Sequence, residues 1–352
     1  MGDEKVLEDL LRKDERLSSV DWPELEPIDN IALGPADCIV VGMGFEERAL
    51  VGLKRACEAS KHFHTVLIRY LPKIEENQET TCLEFCRENN LNFEEFEYDR
   101  EYPSGMGLTL ANNILNFEKI FLDVSGMSRL LIVQIIVELM KRKKKFHILY
   151  TEAENYPPSE QEYKEEYEKA RTTNDTNPSF ISSGIFEIVS SPELSSVFML
   201  GGTIRLISFP SFDHGQLSHL VQEVQPTHND VIHGMPPHEE MAWRTKAISQ
   251  LNESTMKALQ RAESHETSTL DYRETLNLIL ELYQRHSMFD RFVIAPTGSK
   301  MQAVAIGILR GVLADVQIVY PTPLQFVEPD RYTEGAKQIF HLAIDCVDVC
   351  PT

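Results

Sequence analysis

Two stretches of the chain repeat one another, and a repeat of this length constrains the fold more than any other feature. Residues 118–157 carry Ile120-Phe121-Leu122-Asp123-Val124-Ser125-Gly126-Met127-Ser128-Arg129, then an apolar helical stretch, then His147-Ile148-Leu149-Tyr150-Thr151-Glu152. Residues 290–323 carry Phe292-Val293-Ile294-Ala295-Pro296-Thr297-Gly298-Ser299-Lys300, a comparable helix, then Gln317-Ile318-Val319-Tyr320-Pro321-Thr322-Pro323. Matching Ser125-Gly126 to Thr297-Gly298 and Tyr150 to Tyr320 holds the register within two residues over a whole strand–loop–helix–strand unit. Looser matches join Cys38–Phe45 to Ile204–Phe212 and Val66–Pro72 to Val231–Pro237, in the same order. The pattern favours internal duplication over two unrelated units.

Strand and helix signals alternate along the chain. Short apolar strands are expected at Cys38–Gly42, Thr65–Tyr70, Phe93–Tyr98, Lys119–Val124 and Phe146–Tyr150, with helices near Glu47–Ser60, Glu76–Asn89, Gly107–Asn116 and Ser128–Lys141. A second series predicts strands at Thr203–Phe209, Asp230–Gly234, Arg291–Ala295 and Gln317–Tyr320, and a closing strand near Gln338–Ile344. Its helices are expected at Gln216–Val224, Glu239–Leu251, Thr269–Arg285 and Lys300–Leu313. Strands that are apolar on both faces and alternate with helices predict parallel, helix-covered sheets. The fold class is therefore α/β, with two Rossmann-like parallel-sheet units related by duplication. Residues 1–35 read as a helix (Val6–Arg16) and a polar tether with Pro23 and Pro27. Residues 36–171 form the first unit, 172–202 a linker whose turn-rich part is 172–181, and 203–352 the second unit, after Gly201-Gly202.

With 352 residues, 42% hydrophobic and 25% charged, the composition is that of a globular protein. No apolar run reaches the roughly 18 residues of a membrane span, and the charged start excludes a signal peptide, so a soluble, cytoplasmic protein is expected. A net charge of −21 argues against binding extended DNA or RNA, but leaves room for a small anion in a local basic pocket. The basic run Lys141–Lys145 fits a solvated helix end. Cys38, Cys57, Cys82, Cys86, Cys346 and Cys350 include two CxxxC pairs. Reduced, buried thiols are favoured over zinc, which prefers tighter spacing; no metal or cofactor is expected.

In open α/β sheets ligands bind beyond the carboxyl ends of the strands, and four loops fall there. They are Gly42-Met43-Gly44-Phe45-Glu46-Glu47-Arg48, Ser125-Gly126-Met127-Ser128-Arg129, Ser208-Phe209-Pro210-Ser211-Phe212-Asp213 and Thr297-Gly298-Ser299-Lys300. In a hydroxyl–Gly–cation turn, glycine admits close backbone approach, the helix start offers N–H groups, and the cation supplies charge to a phosphate. The spacing is not that of a Walker A loop, and Gly42-x-Gly44 lacks the third glycine of a dinucleotide fingerprint. Helix capping by Ser125 or Thr297 is the competing reading of one loop; two equivalent loops, each with a cation, move the balance toward a ligand.

Glu46 or Glu47 is either a first-turn acid favoured by the helix dipole or a contact to a ribose or base, with Arg48 on phosphate. Asp123 is open to metal ligation, general-base work or loop orientation; Ala295 at the matching position favours orientation. Tyr150 to Tyr156 and Tyr320 to Phe326 offer aromatics that stack on a base or simply pack. His214, His233 and His238 show no metal-ligand spacing, and no nucleophile motif is present. Catalysis is left open.

The turns at Ser125–Arg129 and Thr297–Lys300, with the tandem layout, resemble the CARF and SAVED ligand-sensor domains of prokaryotic defence systems over about residues 36–345. CARF sensors carry a Thr-Gly-Gly-Thr-Lys-like turn at this place, where Ser299 replaces the second glycine here. The resemblance implies a pocket at the strand ends for a cyclic oligonucleotide second messenger, and a separate effector partner. The strand-end loops and the residues beside them give as ligand-binding candidates Gly44, Glu46, Arg48, Asp123, Ser125, Gly126, Ser128, Arg129, Tyr150, Thr297, Gly298, Ser299, Lys300 and Tyr320. An enzyme acting on a nucleotide or phosphorylated metabolite, and an adaptor subunit docking a basic partner, are the alternatives.

Overall fold

A computed structural model describes residues 14–15, 17–75, 77–173, 182–196, 202–326 and 333–345. The turn-rich 174–181, Gly201, Cys346, Cys350 and most of Val6–Arg16 lie outside these. The chain divides into two compact units, one of residues 20–156 and 332–352, the other of 1–19 and 157–331.

In chain order the first unit holds strands β1 (Glu26–Ile28), β2 (Cys38–Gly42), β3 (His64–Leu71), β4 (Asn92–Asp99), β5 (Ile120–Asp123) and β6 (Phe146–Thr151). The second holds β7 (Ser182–Val189), β8 (Thr203–Ser208), β9 (His228–Met235), β10 (Ala262–Ser268), β11 (Asp290–Ile294), β12 (Gln317–Ile318) and β13 (Tyr320–Phe326). The chain then returns to the first unit with β14 (Ile339–Ile344).

The first sheet runs β1-β14-β6-β5-β2-β3-β4. From β6 to β4 its strands are parallel, and β14 and β1 add antiparallel edges. The second sheet runs β10-β9-β8-β11-β12, parallel throughout. In both parallel sheets the first strand is central, the second and third lie to one side, and the fourth and fifth to the other. That is a Rossmann-like order, reversing direction between the first and fourth strands.

The expected elements form, within a few residues of their expected ends. β2 is buried at all five positions, as a helix-covered parallel strand must be. The helices after the two turns, Arg129–Lys141 and Lys300–Val312, are buried on nearly every side, polar residues such as Gln134, Glu138, Gln302 and Arg310 included. Within the first of them Gln134 stays satisfied: it accepts from Tyr98 Oη (2.9 Å) and donates to the Pro103 carbonyl (2.8 Å). Among the described residues no helix is long and apolar enough to cross a membrane.

Three segments depart from the expected division of the chain. Glu26–Ile28, read as tether, pairs with β14 as an edge strand; such an edge tolerates Pro27 because no further strand needs its missing N–H. The closing strand, read with the second half, pairs instead with β6 of the first unit. Residues 182–189, inside the expected linker, form β7, which pairs antiparallel with β13.

Candidate functional site

The site builds from the carboxyl ends of the central strands. In the first unit the loops after β2 and β5 meet backbone to backbone. A Cβ on Gly42 would stand 2.7 Å from the Gly126 carbonyl oxygen, and one on Gly44 2.8 Å from the same atom. Only glycine lets two loops close to that separation.

Hydrogen bonds then lock the Ser125 turn. Ser125 is fully buried and its Oγ accepts from the Thr151 amide at 2.8 Å, tying β5 to the end of β6. Asp123, also fully buried, accepts from the Ser125 amide at 3.1 Å. Gly52 leaves room for that carboxylate. Tyr70, the penultimate residue of β3, donates to the Gly126 carbonyl (3.2 Å) and accepts from the Ser128 amide (2.9 Å). The Arg100 guanidinium lies 4.4 Å from the Tyr70 ring centre. Ser128 caps the next helix, accepting from the Leu131 amide at 3.3 Å. Arg129 follows as the first helical residue, half-buried, and its Nε is buried with no hydrogen-bond partner among the described residues.

Arg48 lies beside this turn and is 3% exposed. It pairs with Glu46 at 3.0 Å and donates to the Thr151 carbonyl (2.8 Å), Tyr150 Oη (3.2 Å) and Tyr156 Oη (3.3 Å). Burial opposes its charge, but Glu46 and the two tyrosines outweigh that and raise its pKa further. Tyr150 and Tyr156 in turn share a 3.1 Å hydrogen bond, and burial pushes the Tyr156 hydroxyl up. Arg48, Glu46 and Tyr150 thus form one internal tie, and the four partners named for this guanidinium all belong to the protein itself.

In the second unit Thr297 is 3% exposed. Its Oγ1 donates to the Phe209 carbonyl (2.7 Å) and accepts from the Phe209 amide (3.3 Å), joining the loops after β8 and β11. Ser125 ties to the fifth strand of its sheet, whereas Thr297 ties to the first. Gly298 lies where a Cβ would stand 3.0 Å from the Phe209 ring. Ser299 and Gln302 form a reciprocal capping box, and Gln302 Nε2 reaches Thr267 Oγ1 at the end of β10 (3.1 Å). Lys300 opens the helix, half-buried. Tyr320, half-buried, begins β13 just past β12.

The expected site residues therefore fall into two groups, each at the reversal point of its own sheet. Gly44, Glu46, Arg48, Asp123, Ser125, Gly126, Ser128, Arg129 and Tyr150 gather in the first unit. Thr297, Gly298, Ser299 and Lys300 do so in the second. In both, the buried hydroxyl holds the turn and the cation begins the helix. Sequence reasoning missed Tyr70, Arg100 and Gln302. An aromatic at the end of a strand that stops at Pro72 was the available signal for Tyr70; Arg100 and Gln302 carry none.

This arrangement defines the chain as a Rossmann-like α/β protein of two parallel-sheet units with a cation-bearing turn at each reversal point. No protein-family model matches the chain, and no curated protein matches it. Among solved structures it is similar to a DNA nuclease of Type III CRISPR defence activated by cyclic oligoadenylate, at 9% identity and a TM-score of 0.48, over 85% of this chain and 68% of that one. It is also similar to the cytoplasmic domain of a prokaryotic cation chloride cotransporter (8% identity, TM-score 0.25, 83% of this chain and 96% of that one). A third is the N,N-8-amino-8-demethyl-D-riboflavin dimethyltransferase of Streptomyces davawensis (11% identity, TM-score 0.22, 53% of this chain and 52% of that one).

Proposed function

We propose that the protein is a nucleotide sensor, responding to a cyclic oligonucleotide second messenger in a prokaryotic defence system and acting on a separate effector. The observation that carries this reading is the half-buried cation that opens the helix at each reversal point, Arg129 in one sheet and Lys300 in the other. A helix start with a cation at its first position is suited to a phosphate, because the positive end of the helix dipole and the side-chain charge converge there. The poorly satisfied Nε of Arg129 supports it further, since a buried guanidinium donor without a partner is costly until an acceptor arrives. In this reading Ser125, Thr297, Asp123 and Arg48 preorganise the turns, and Ser128, Arg129, Ser299 and Lys300 lie nearest the ligand. Asp123 is turned toward the Ser125 amide and away from solvent, which favours sensing over proton transfer.

Thermal-shift titration with mono-, di- and cyclic oligonucleotides tests this. A ligand at a hundred times its Kd stabilises by about 2.7 kcal/mol, a rise of roughly 5–10 °C for a domain of this size. The rise is expected for a cyclic oligonucleotide, and it is lost in Arg129→Ala and Lys300→Ala while the ligand-free Tm of both variants stays at the wild-type value. A panel in which no nucleotide raises Tm, or a rise that survives both substitutions, refutes the assignment.

A further inference from the structure

At the amino ends of the second unit's strands, the edge away from its reversal-point turns, charged side chains from four neighbouring strands meet. Arg205 on β8 donates Nη1 to Asp230 Oδ2 on β9 and Nε to Asp290 Oδ2 on β11, both at 2.8 Å. Thr203 Oγ1 donates to the other oxygen of Asp290. Asp230 is fully buried, and its remaining oxygen, Oδ1, lies 2.9 Å from His265 Nε2 on β10. Glu263 is paired in register with Asp230 and points to the same side of β10 as His265, two residues on. The donor atoms of Asp230, Glu263 and His265 all lie within 4.8 Å of one another.

We propose that Asp230, Glu263 and His265 bind a divalent first-row transition ion such as zinc. The charges favour a cation: two buried carboxylates share the guanidinium of Arg205, with His228 Nε2 3.9 Å from Asp290 Oδ1, and Glu263 brings a third carboxylate to the cluster. The geometry is prepared as metal sites are prepared. Arg205 fixes one oxygen of Asp230 and leaves the other aimed at His265, while Asp290, itself held by Thr203, fixes Arg205, an outer shell that orients a ligating carboxylate. The ligands stand on adjacent strands rather than loops, which holds their spacing. A metal about 2.0–2.2 Å from each donor needs donors no more than about 4.4 Å apart. Asp230 and His265 already meet that limit, and the exposed Glu263 side chain closes the remainder by a small rotation. One imidazole and two carboxylates suit zinc, manganese or ferrous iron and leave a coordination position open to water. Binding requires the His265 ring proton on Nδ1, so that Nε2 faces the metal rather than sharing a proton with Asp230.

The test uses the full chain, stripped with a chelator and titrated with Co2+ as the spectroscopic probe. One Co2+ per chain is expected, displaced by Zn2+, with a ligand-field band and no thiolate-to-metal charge transfer. Glu263→Gln and His265→Gln, with unchanged circular dichroism, are each expected to weaken binding by at least about tenfold, the lower end of what losing even an outer-shell partner costs. Glu263 is exposed, so its variant decides the matter if the histidine variant misfolds. Absence of Co2+ binding, a thiolate charge-transfer band, or wild-type affinity in Glu263→Gln would overturn the proposal. None of these outcomes depends on nucleotide binding.

Discussion

Adding one methyl group at Gly42 probes the contact on which the first unit's site is built. The new Cβ would stand 2.7 Å from the Gly126 carbonyl oxygen, 2.8 Å from its carbon and 3.0 Å from Tyr70 Oη. Two of these three atoms are backbone, held by the Tyr70 hydrogen bond and the Asp123–Ser125 tie, so no rotamer change relieves the clash. Overpacking of this kind costs about 1–3 kcal/mol, and the rigid surroundings place Gly42→Ala toward the upper end. Alanine restricts the unfolded chain and returns about 0.4–1 kcal/mol, so the net loss is about 2 kcal/mol. For a domain of this size that lowers Tm by roughly 4–8 °C. Gly34→Ala is the matched control, because its Cβ would meet only Asp37 Oδ2, at an ordinary 3.7 Å. Differential scanning calorimetry on both variants reads the difference. A Gly42→Ala melting curve within about 1 °C of wild type would show that the two loops are not in backbone contact, and the preorganisation argued for Arg129 would fall with it.

Two further outcomes are expected. Burial, and then the neighbouring His341 ring 2.9 Å away, hold His147 down to about 4 from an ordinary 6.5, and burial lowers His341 as well. Between about pH 6.5 and pH 4 the unfolded chain binds protons that the folded pair does not, so stability falls as pH falls through that window and the loss is complete below it. Urea denaturation across the window reads this slope, and His147→Gln with His341→Gln flattens it; an equal slope in the double variant removes the histidines from the account. The buried thiols Cys38, Cys82 and Cys86 are pushed up to about 12, and Cys57 to about 11, chiefly by burial. Iodoacetamide followed by mass spectrometry is expected to leave these four unmodified in the folded protein and to alkylate all of them in urea; rapid labelling of the folded chain would contradict their placement.

Much of the fold was legible because burial writes itself into sequence. β2, β5 and β11 are short and centred on Val, Ile, Leu and Phe, and their length and β-branched content mark them as buried strands. β10 reads Ala-Glu-Ser-His-Glu-Thr-Ser and is mostly exposed at a sheet edge, so no hydrophobic period marked it. β14 was found as a strand but assigned to the wrong sheet, because apolar alternation reports that a strand pairs and not with what. At the candidate site, the position of the two turns was legible from hydroxyl, glycine and cation spacing. What each side chain does there was not. Arg48 donates to Tyr150, more than a hundred residues on, a contact that no local spacing announces because only the folded chain brings the two together.

The return of β14 has a consequence for synthesis. A ribosome releases residues 20–156 long before Ile339–Ile344 exist, yet β6 needs that last strand on its outer side. Until then Phe146–Thr151 is a bare edge with open N–H and C=O groups, the kind of surface that recruits foreign strands. Any frameshift or protease cut that removes β14 would strand the nascent first unit in that sticky state, so its maturation waits until Ile339–Ile344 have been made.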